Sequence, residues 1–373
     1  MWKCDPVVGD FNEDGLLDLA ALSRLGTGPR VWLNAGKTGW TASPFGLVAP
    51  KHSCGGGLSV ADVNLDGHLD LAVADHCHGV SVYLGDGAGR WTIVAQELHP
   101  PLTGSDDSSD PTSAGAEDVA LGDVNSDGFP DLIASASDEG GISLYLSDGT
   151  GRKWTWTQTG LPSKGWANRV MLTDVNGDGS LDVVAAMGVG PRVWLGDGRG
   201  SWTAASTGLP GPVIRGLYHG IDVGDLNEDG RPDIAVANWV DGPEVYLQQS
   251  DGSWHKTPDV FPGMLGGAAG LALGDLDGDG HLDIVVSGRL TLDGGFVRGV
   301  FALYGDGAGH WSYAADSGLP ETGLAFTAGV ALADLNQDGR VDVVAAGGLI
   351  VETAPGPTEP VIPQRLTVWC GQD

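Results

Sequence analysis

Short apolar runs separated by turns rich in glycine and aspartate recur along the whole chain. One run enters a turn, as in Val119-Ala120-Leu121-Gly122 or Leu271-Ala272-Leu273-Gly274. A second leaves it, as in Leu71-Ala72-Val73-Ala74 or Ile234-Ala235-Val236-Ala237. A third alternates apolar and polar positions, as in Val80-Ser81-Val82-Tyr83-Leu84 or Arg192-Val193-Trp194-Leu195. A glycine-rich turn, Gly196-Asp197-Gly198-Arg199-Gly200, then leads to a fourth run opening with Trp202; Trp91, Trp154, Trp254 and Trp311 hold the same place. Alternation with period two between turn signals predicts strands. No stretch has the period of an amphipathic helix.

The turn between the first two runs carries a nine-residue pattern, D-x-[ND]-x-D-G-x-x-D. It starts at Asp10, Asp62, Asp123, Asp174, Asp225, Asp275 and Asp334, with steps of 52, 61, 51, 51, 50 and 59 residues. Four antiparallel strands repeated at this period are the sequence mark of a propeller. The expectation is a seven-bladed β-propeller of four-stranded antiparallel blades, forming one domain over residues 1–373. The chain enters on an innermost strand, Val7-Val8-Gly9, and ends on a third strand, Leu366-Thr367-Val368-Trp369-Cys370. The last blade is therefore expected to lack a fourth strand of its own, with Trp2 as a stand-in for that strand's first residue.

The nine-residue loops predict metal sites. In the loop at Asp123, the side-chain oxygens of Asp123, Asn125 and Asp127 can converge on one point. Gly128 permits the sharp turn, the Phe129 carbonyl adds an oxygen, and Asp131 closes the shell. The equivalent ligands are Asp10, Asn12, Asp14, Leu16 and Asp18; Asp62, Asn64, Asp66, His68 and Asp70; and Asp174, Asn176, Asp178, Ser180 and Asp182. They continue with Asp225, Asn227, Asp229, Arg231 and Asp233; Asp275, Asp277, Asp279, His281 and Asp283; and Asp334, Asn336, Asp338, Arg340 and Asp342. Oxygen donors of this number suit calcium, about seven ions, rather than zinc or copper, and magnesium holds its waters too tightly. The loop is not an EF-hand, because its twelfth position is Ala134 or Val73 where Glu is needed. Turns favour Asp, Asn and Gly without metal, but they do not need three carboxylates at positions 1, 5 and 9.

Charge agrees with that reading. The 373 residues carry a formal net charge of -30. Three aspartates in each of seven loops, with Asp277 as an extra carboxylate, account for 22 of the 49 acidic residues. Seven divalent ions would bring the chain to roughly -16. So acidic a chain repels nucleic acid, and no apolar run is long enough to insert into a membrane.

The loops resemble the FG-GAP/VCBS repeats of integrin α-subunit propellers, of fungal and bacterial propeller lectins and of bacterial surface proteins, over essentially the whole chain. The resemblance implies that each loop joins the two innermost strands of its blade on the lower face. It also implies a calcium-binding, secreted adhesion or lectin-like module for a glycan or protein ligand. Some similar propellers belong to carbohydrate-active lyases and dehydratases, so the alternatives are such an enzyme or a structural module of a larger surface assembly.

If the loops lie below, recognition falls to the connections above, where the inserts differ in length and character. The candidate ligand residues are Trp166, Arg169, Arg215, Tyr218, His219 and Trp239, with aromatic faces for stacking and guanidinium groups for carboxylates. No catalytic residue is assigned: the chain has no G-x-S-x-G and no H-E-x-x-H. Cys54 and Cys77 fall nearly opposite each other on paired strands, which suits a disulfide. Flanking His52, His76 and His78 leave a zinc or copper site open, and free thiols are a third reading. Cys4 and Cys370 are expected near opposite ends of their strands, which argues against a ring-closing bridge. A disulfide places the chain extracellularly, on a cell surface or in a periplasm. Met1-Trp2-Lys3-Cys4 has no signal-peptide core, so the chain reads as a mature or excised fragment.

Overall fold

The computed structural model describes residues 5–23, 28–43, 45–48, 53–99, 115–136, 140–157, 159–211, 217–258, 260–261, 267–292, 295–315, 317–319, 324–349 and 364–369. These form strands and turns, with one 3-10 turn at Gly36–Thr38. None of their helices is long and apolar enough to cross a membrane.

The strands group in chain order. The first sheet is β1 (Val7–Gly9), β2 (Asp18–Ser23), β3 (Gly28–Asn34) and β4 (Trp40–Ser43). The second is β5 (Leu58–Ala61), β6 (Asp70–Asp75), β7 (Gly79–Gly85) and β8 (Trp91–Leu98). The third is β9 (Asp118–Gly122), β10 (Asp131–Ala136), β11 (Gly141–Ser147) and β12 (Trp154–Thr157). The fourth is β13 (Ala167–Thr173), β14 (Asp182–Met187), β15 (Gly190–Gly196) and β16 (Trp202–Ala204). The fifth is β17 (Tyr218–Gly224), β18 (Asp233–Asn238), β19 (Gly242–Gln248) and β20 (Trp254–Lys256). The sixth is β21 (Leu271–Gly274), β22 (Asp283–Leu292), β23 (Gly295–Gly305) and β24 (Trp311–Tyr313). The last is β25 (Leu324–Ala333), β26 (Asp342–Leu349) and β27 (Gln364–Trp369).

Every sheet is an antiparallel meander, and the first strands of successive sheets lie side by side, with β25 returning to β1. That is a propeller ring. The expectation of seven four-stranded blades is corrected: the structure has six, and a three-stranded sheet occupies the place between β21 and β1. No described strand pairs with the outer edge of β27. Trp2 lies outside the described residues.

The core lies between neighbouring sheets. Phe11, Ala20 and Val31 of the first pack on Leu58, Leu71, Tyr83 and Trp91 of the second. Ala235 and Val245 of the fifth meet Ile284 and Phe301 of the sixth. Leu19 meets Leu335 and Val344 where the three-stranded sheet joins the first blade. Each second strand is covered on both faces, so β6, β14 and β18 bury every residue. That two-sided burial is why second strands read as unbroken apolar runs while third strands alternate.

The fourth-strand tryptophans are clamped across blades. The backbone N–H groups of Trp91, Trp202 and Trp254 donate to the carbonyls of Phe45, Thr159 and Thr207 at 3.0, 3.0 and 2.8 Å. The residue after each acceptor is Gly46, Gly160 or Gly208, at φ of 82°, 89° and 90°. A Cβ there would lie 1.7, 2.5 and 2.0 Å from the tryptophan carbonyl oxygen. Only glycine fits so close an approach.

Candidate metal loops and ligand face

All seven loops join a first strand to a second, so they share one end of the ring. Their side chains are organised by backbone amides before any ion is considered. At position 1, Asp123 accepts the N–H groups of Asp127 and Gly128 at 3.1 and 2.8 Å. At position 3, the Asn125 Oδ1 accepts the Asp127 N–H at 2.9 Å. At position 5, Asp127 Oδ1 accepts the Phe129 N–H at 2.9 Å. The same contacts recur in the loops at Asp10 and Asp334. The turn needs left-handed backbone twice. Gly15, Gly67, Gly128, Gly179, Gly230, Gly280 and Gly339 supply it at position 6. Position 4 supplies it even without glycine, with Glu13, Leu65, Ser126, Glu228 and Gln337 at φ between 56° and 61°.

The ninth-position aspartate differs from the rest. Asp18, Asp70, Asp131, Asp182, Asp233, Asp283 and Asp342 are fully buried. Asp131 Oδ2 accepts the Val124 N–H at 3.3 Å and its Oδ1 accepts the Ser147 N–H at 2.8 Å. Asp18, Asp70, Asp131, Asp182, Asp233 and Asp283 thus tie their loops to the end of the third strand, as Asp18 does to Asn34 at 2.7 Å and Asp233 to Gln248 at 2.8 Å. Burial pushes Asp18, Asp70, Asp131 and Asp283 up to about 6 and Asp233 up to about 7, and neighbouring loop aspartates push the same way.

The donor set fits a hard cation. It is all oxygen, the outer carboxylates are open to solvent, and carboxylate oxygens of Asp275, Asp277 and Asp283 lie within 4.8 Å of one another. Adjacent loops are also joined to each other. His68 Nδ1 meets Glu13 Oε1 and His281 Nδ1 meets Glu228 Oε1, each from position 7 of one loop to position 4 of the loop before. Gln337 Nε2 donates to the Gly15 carbonyl at 2.5 Å, linking the last loop to the first.

The candidate ligand residues fall at the opposite end but do not form one surface. Trp166 is 44% exposed, and Val189 beside it and Val240 on the next blade are 38% and 40% exposed. Trp239 is half-buried, with His219 edge-on to its ring at 5.8 Å between centroids. Tyr218 is only 2% exposed, and its hydroxyl donates to Glu244 at 3.3 Å. That carboxylate also takes Tyr246, Asn238 and Lys256 at 2.6, 3.1 and 2.9 Å. Tyr218 is therefore part of a buried polar network and offers no ring face to a ligand. Arg169 Nη1 lies 3.2 Å from Asp5 Oδ2, and its Nε lies 3.9 Å from Asp118 Oδ2, so its charge is already matched. Arg215 and His52 lie outside the described residues, as do Cys4 and Cys370. Cys54 and Cys77 are joined by a disulfide with Cα atoms 5.6 Å apart.

The left-handed fourth position, the interblade glycine clamp and the Arg169 hub were missed at the sequence level. The Thr-Gly-Leu-Pro repeat at 159–162 and 207–210 was a signal for the clamp. Nothing local marks Arg169, because its partners come from other blades.

Ring, meander and repeated aspartate loop define the class: a β-propeller built of aspartate-loop repeats. The FG-GAP-like repeat model matches residues 10–73, 62–134, 123–185, 174–236 and 225–286, and the chain belongs to that family. No curated protein matches it. Among solved structures it is similar to an Agrocybe aegerita lectin described as recognising non-reducing terminal N-acetylglucosamine, at 19% identity over 84% of this chain and 79% of that one, with TM-score 0.54. It is similar to BBS1N in complex with ARL6DN, at 10% identity over 95% and 94%, TM-score 0.60. A proposed 6-phosphogluconolactonase from Bacteroides uniformis aligns at 12% identity over 94% and 93%, TM-score 0.57. Likeness at these identities speaks for the fold.

Proposed function

We propose that this propeller is a calcium-stabilised extracellular binding module that presents a glycan or protein ligand site on the face opposite its loops. The observation that carries the reading is the division of labour between the two ends. One end repeats the same carboxylate turn seven times, which suits a scaffold. The other differs from blade to blade and exposes Trp166, Val189 and Val240, with Trp239 half-buried against the buried His219 on the fifth blade. An indole face stacks on a sugar ring or an apolar side chain with large contact and few rotamers lost. The fungal lectin with the same fold makes a terminal amino sugar a reasonable first probe.

Two measurements test this. Metal analysis after dialysis against trace calcium should find seven ions per chain, and two or fewer sinks the calcium reading. A glycan array on the parent, Trp166→Ala and Trp239→Ala proteins should give a hit that both variants weaken at least tenfold. A hit that neither variant changes removes the assigned face.

A further inference from the structure

The Cys54–Cys77 pair sits in a setting that disulfide bonding alone does not require. Cys54 precedes β5 and Cys77 lies in the turn between β6 and β7, both at the end of the ring away from the calcium loops. Between them stands Asp75, the last residue of β6, 4% exposed. Its Oδ1 accepts the N–H of Cys77 at 2.8 Å and of Cys54 at 3.3 Å. Its Oδ2 is buried and has no hydrogen-bond partner. A buried carboxylate oxygen left so costs free energy that an apolar residue would not. A carboxylate oxygen of Asp75 and the two sulfurs all lie within 4.8 Å of one another.

We propose that Cys54, Cys77 and Asp75 form a zinc site that the disulfide closes and thiol reduction opens. Zinc is held tetrahedrally by thiolate and carboxylate donors, with Zn–S near 2.3 Å, which sets the two sulfurs about 3.8 Å apart. In the disulfide the sulfurs are bonded and closer than that, and Cα atoms 5.6 Å apart leave them room to separate to it once the bond is reduced. Thiolates select zinc over calcium. Two thiolates and one carboxylate leave a fourth position for water.

The backbone keeps the donors together once the sulfur bond is gone. The His76 N–H donates to the Gly55 carbonyl at 3.0 Å and the Ala74 N–H to Gly57 at 2.9 Å, so both cysteine segments stay tied to one ladder. His76 faces elsewhere, its Nδ1 against Glu117 Oε1, and is not a ligand.

The chemistry balances. Two equivalents of an external thiol reduce the protein disulfide, giving two cysteine thiols and one external disulfide. Zinc then displaces one proton from each thiol to solvent, and two thiolates and the Asp75 carboxylate bind the ion. In an oxidising compartment the disulfide holds the site shut.

The test uses the whole chain with calcium in excess, so that the carboxylate loops do not compete. Protein reduced with dithiothreitol and desalted without oxygen is titrated with Co2+ and then Zn2+. The expected result is one Co2+ per chain with a thiolate-to-cobalt charge-transfer band, bleached by one equivalent of Zn2+ and absent from the oxidised protein. Cys54→Ser and Cys77→Ser should each lose the band. Asp75→Asn keeps an oxygen for the two amides and should weaken Co2+ binding at least tenfold with an unchanged near-ultraviolet dichroism spectrum. Three results would overturn the proposal: no charge-transfer band in reduced protein, reduced protein that unfolds, or an Asp75→Asn variant that binds like the parent. None of them bears on the calcium loops, so the two readings fail separately.

Discussion

Arg169 Nη1 lies 3.2 Å from Asp5 Oδ2, joining the innermost strand of the fourth blade to the residue that leads into the first. Asp118, at the start of the third blade's inner strand, is 3.9 Å from the same guanidinium. Asp5 and Asp118 are 3% and 4% exposed, so removing the cation takes a close positive charge away from two buried carboxylates. Arg169→Met is expected to cost about 3 kcal/mol. Urea unfolding of parent and variant checks this; a midpoint unchanged within error would show that the hub contributes nothing to ring stability.

Within one loop, two aspartates should behave differently. Asp131 is fully buried and satisfies one buried and one part-buried amide, whereas Asp127 is exposed and turns only its own loop. In chelator, Asp131→Ala is expected to lose about 3 kcal/mol, because two N–H groups are left unpaired. Asp127→Ala should lose less than about 1 kcal/mol under the same conditions. Equal losses would mean that the ninth position is not the brace.

Calcium removal should lower stability by more than any single loop variant. Ion binding to the folded chain alone adds about 2.7 kcal/mol per site at a hundredfold excess over Kd. Seven sites add up, and Asp127→Ala disables one. Thermal melts with calcium and with chelator should therefore be separated by many degrees, with the variant between them. Superimposed melts would show that the loops hold without metal.

The interblade clamp predicts a strong effect from one methyl group. Gly208 sits at φ 90°, and a Cβ there would approach the Trp254 carbonyl oxygen to 2.0 Å. Gly208→Ala should cost about 2 kcal/mol or more from left-handed strain together with backbone displacement. Gly211, with nothing near its missing Cβ, is the control and should tolerate alanine. If the two variants unfold alike, the clamp is not tight in solution.

The strands, the meander order and the seven loops were legible in the chain because each depends on residues a few positions apart. Alternation follows from the pleat, and D-x-[ND]-x-D-G-x-x-D is a turn whose amide contacts are all local. That the last unit lacks a fourth strand of its own was legible, but whether another segment completes that sheet was not, because a loop marks only the first two strands of a unit and an outer strand has no such mark. The ligand face was misread in part for a related reason. Tyr218 and Arg169 are residue types that often meet ligands, and local sequence places them at the right end of the ring. Whether such a side chain faces water depends on what other blades set against it. Glu244 takes the Tyr218 hydroxyl from within its own blade, while Asp5, 164 residues away in sequence, takes Arg169. Ring closure makes that second pairing, and burial of a charge is decided by partners that only the closed ring brings within reach.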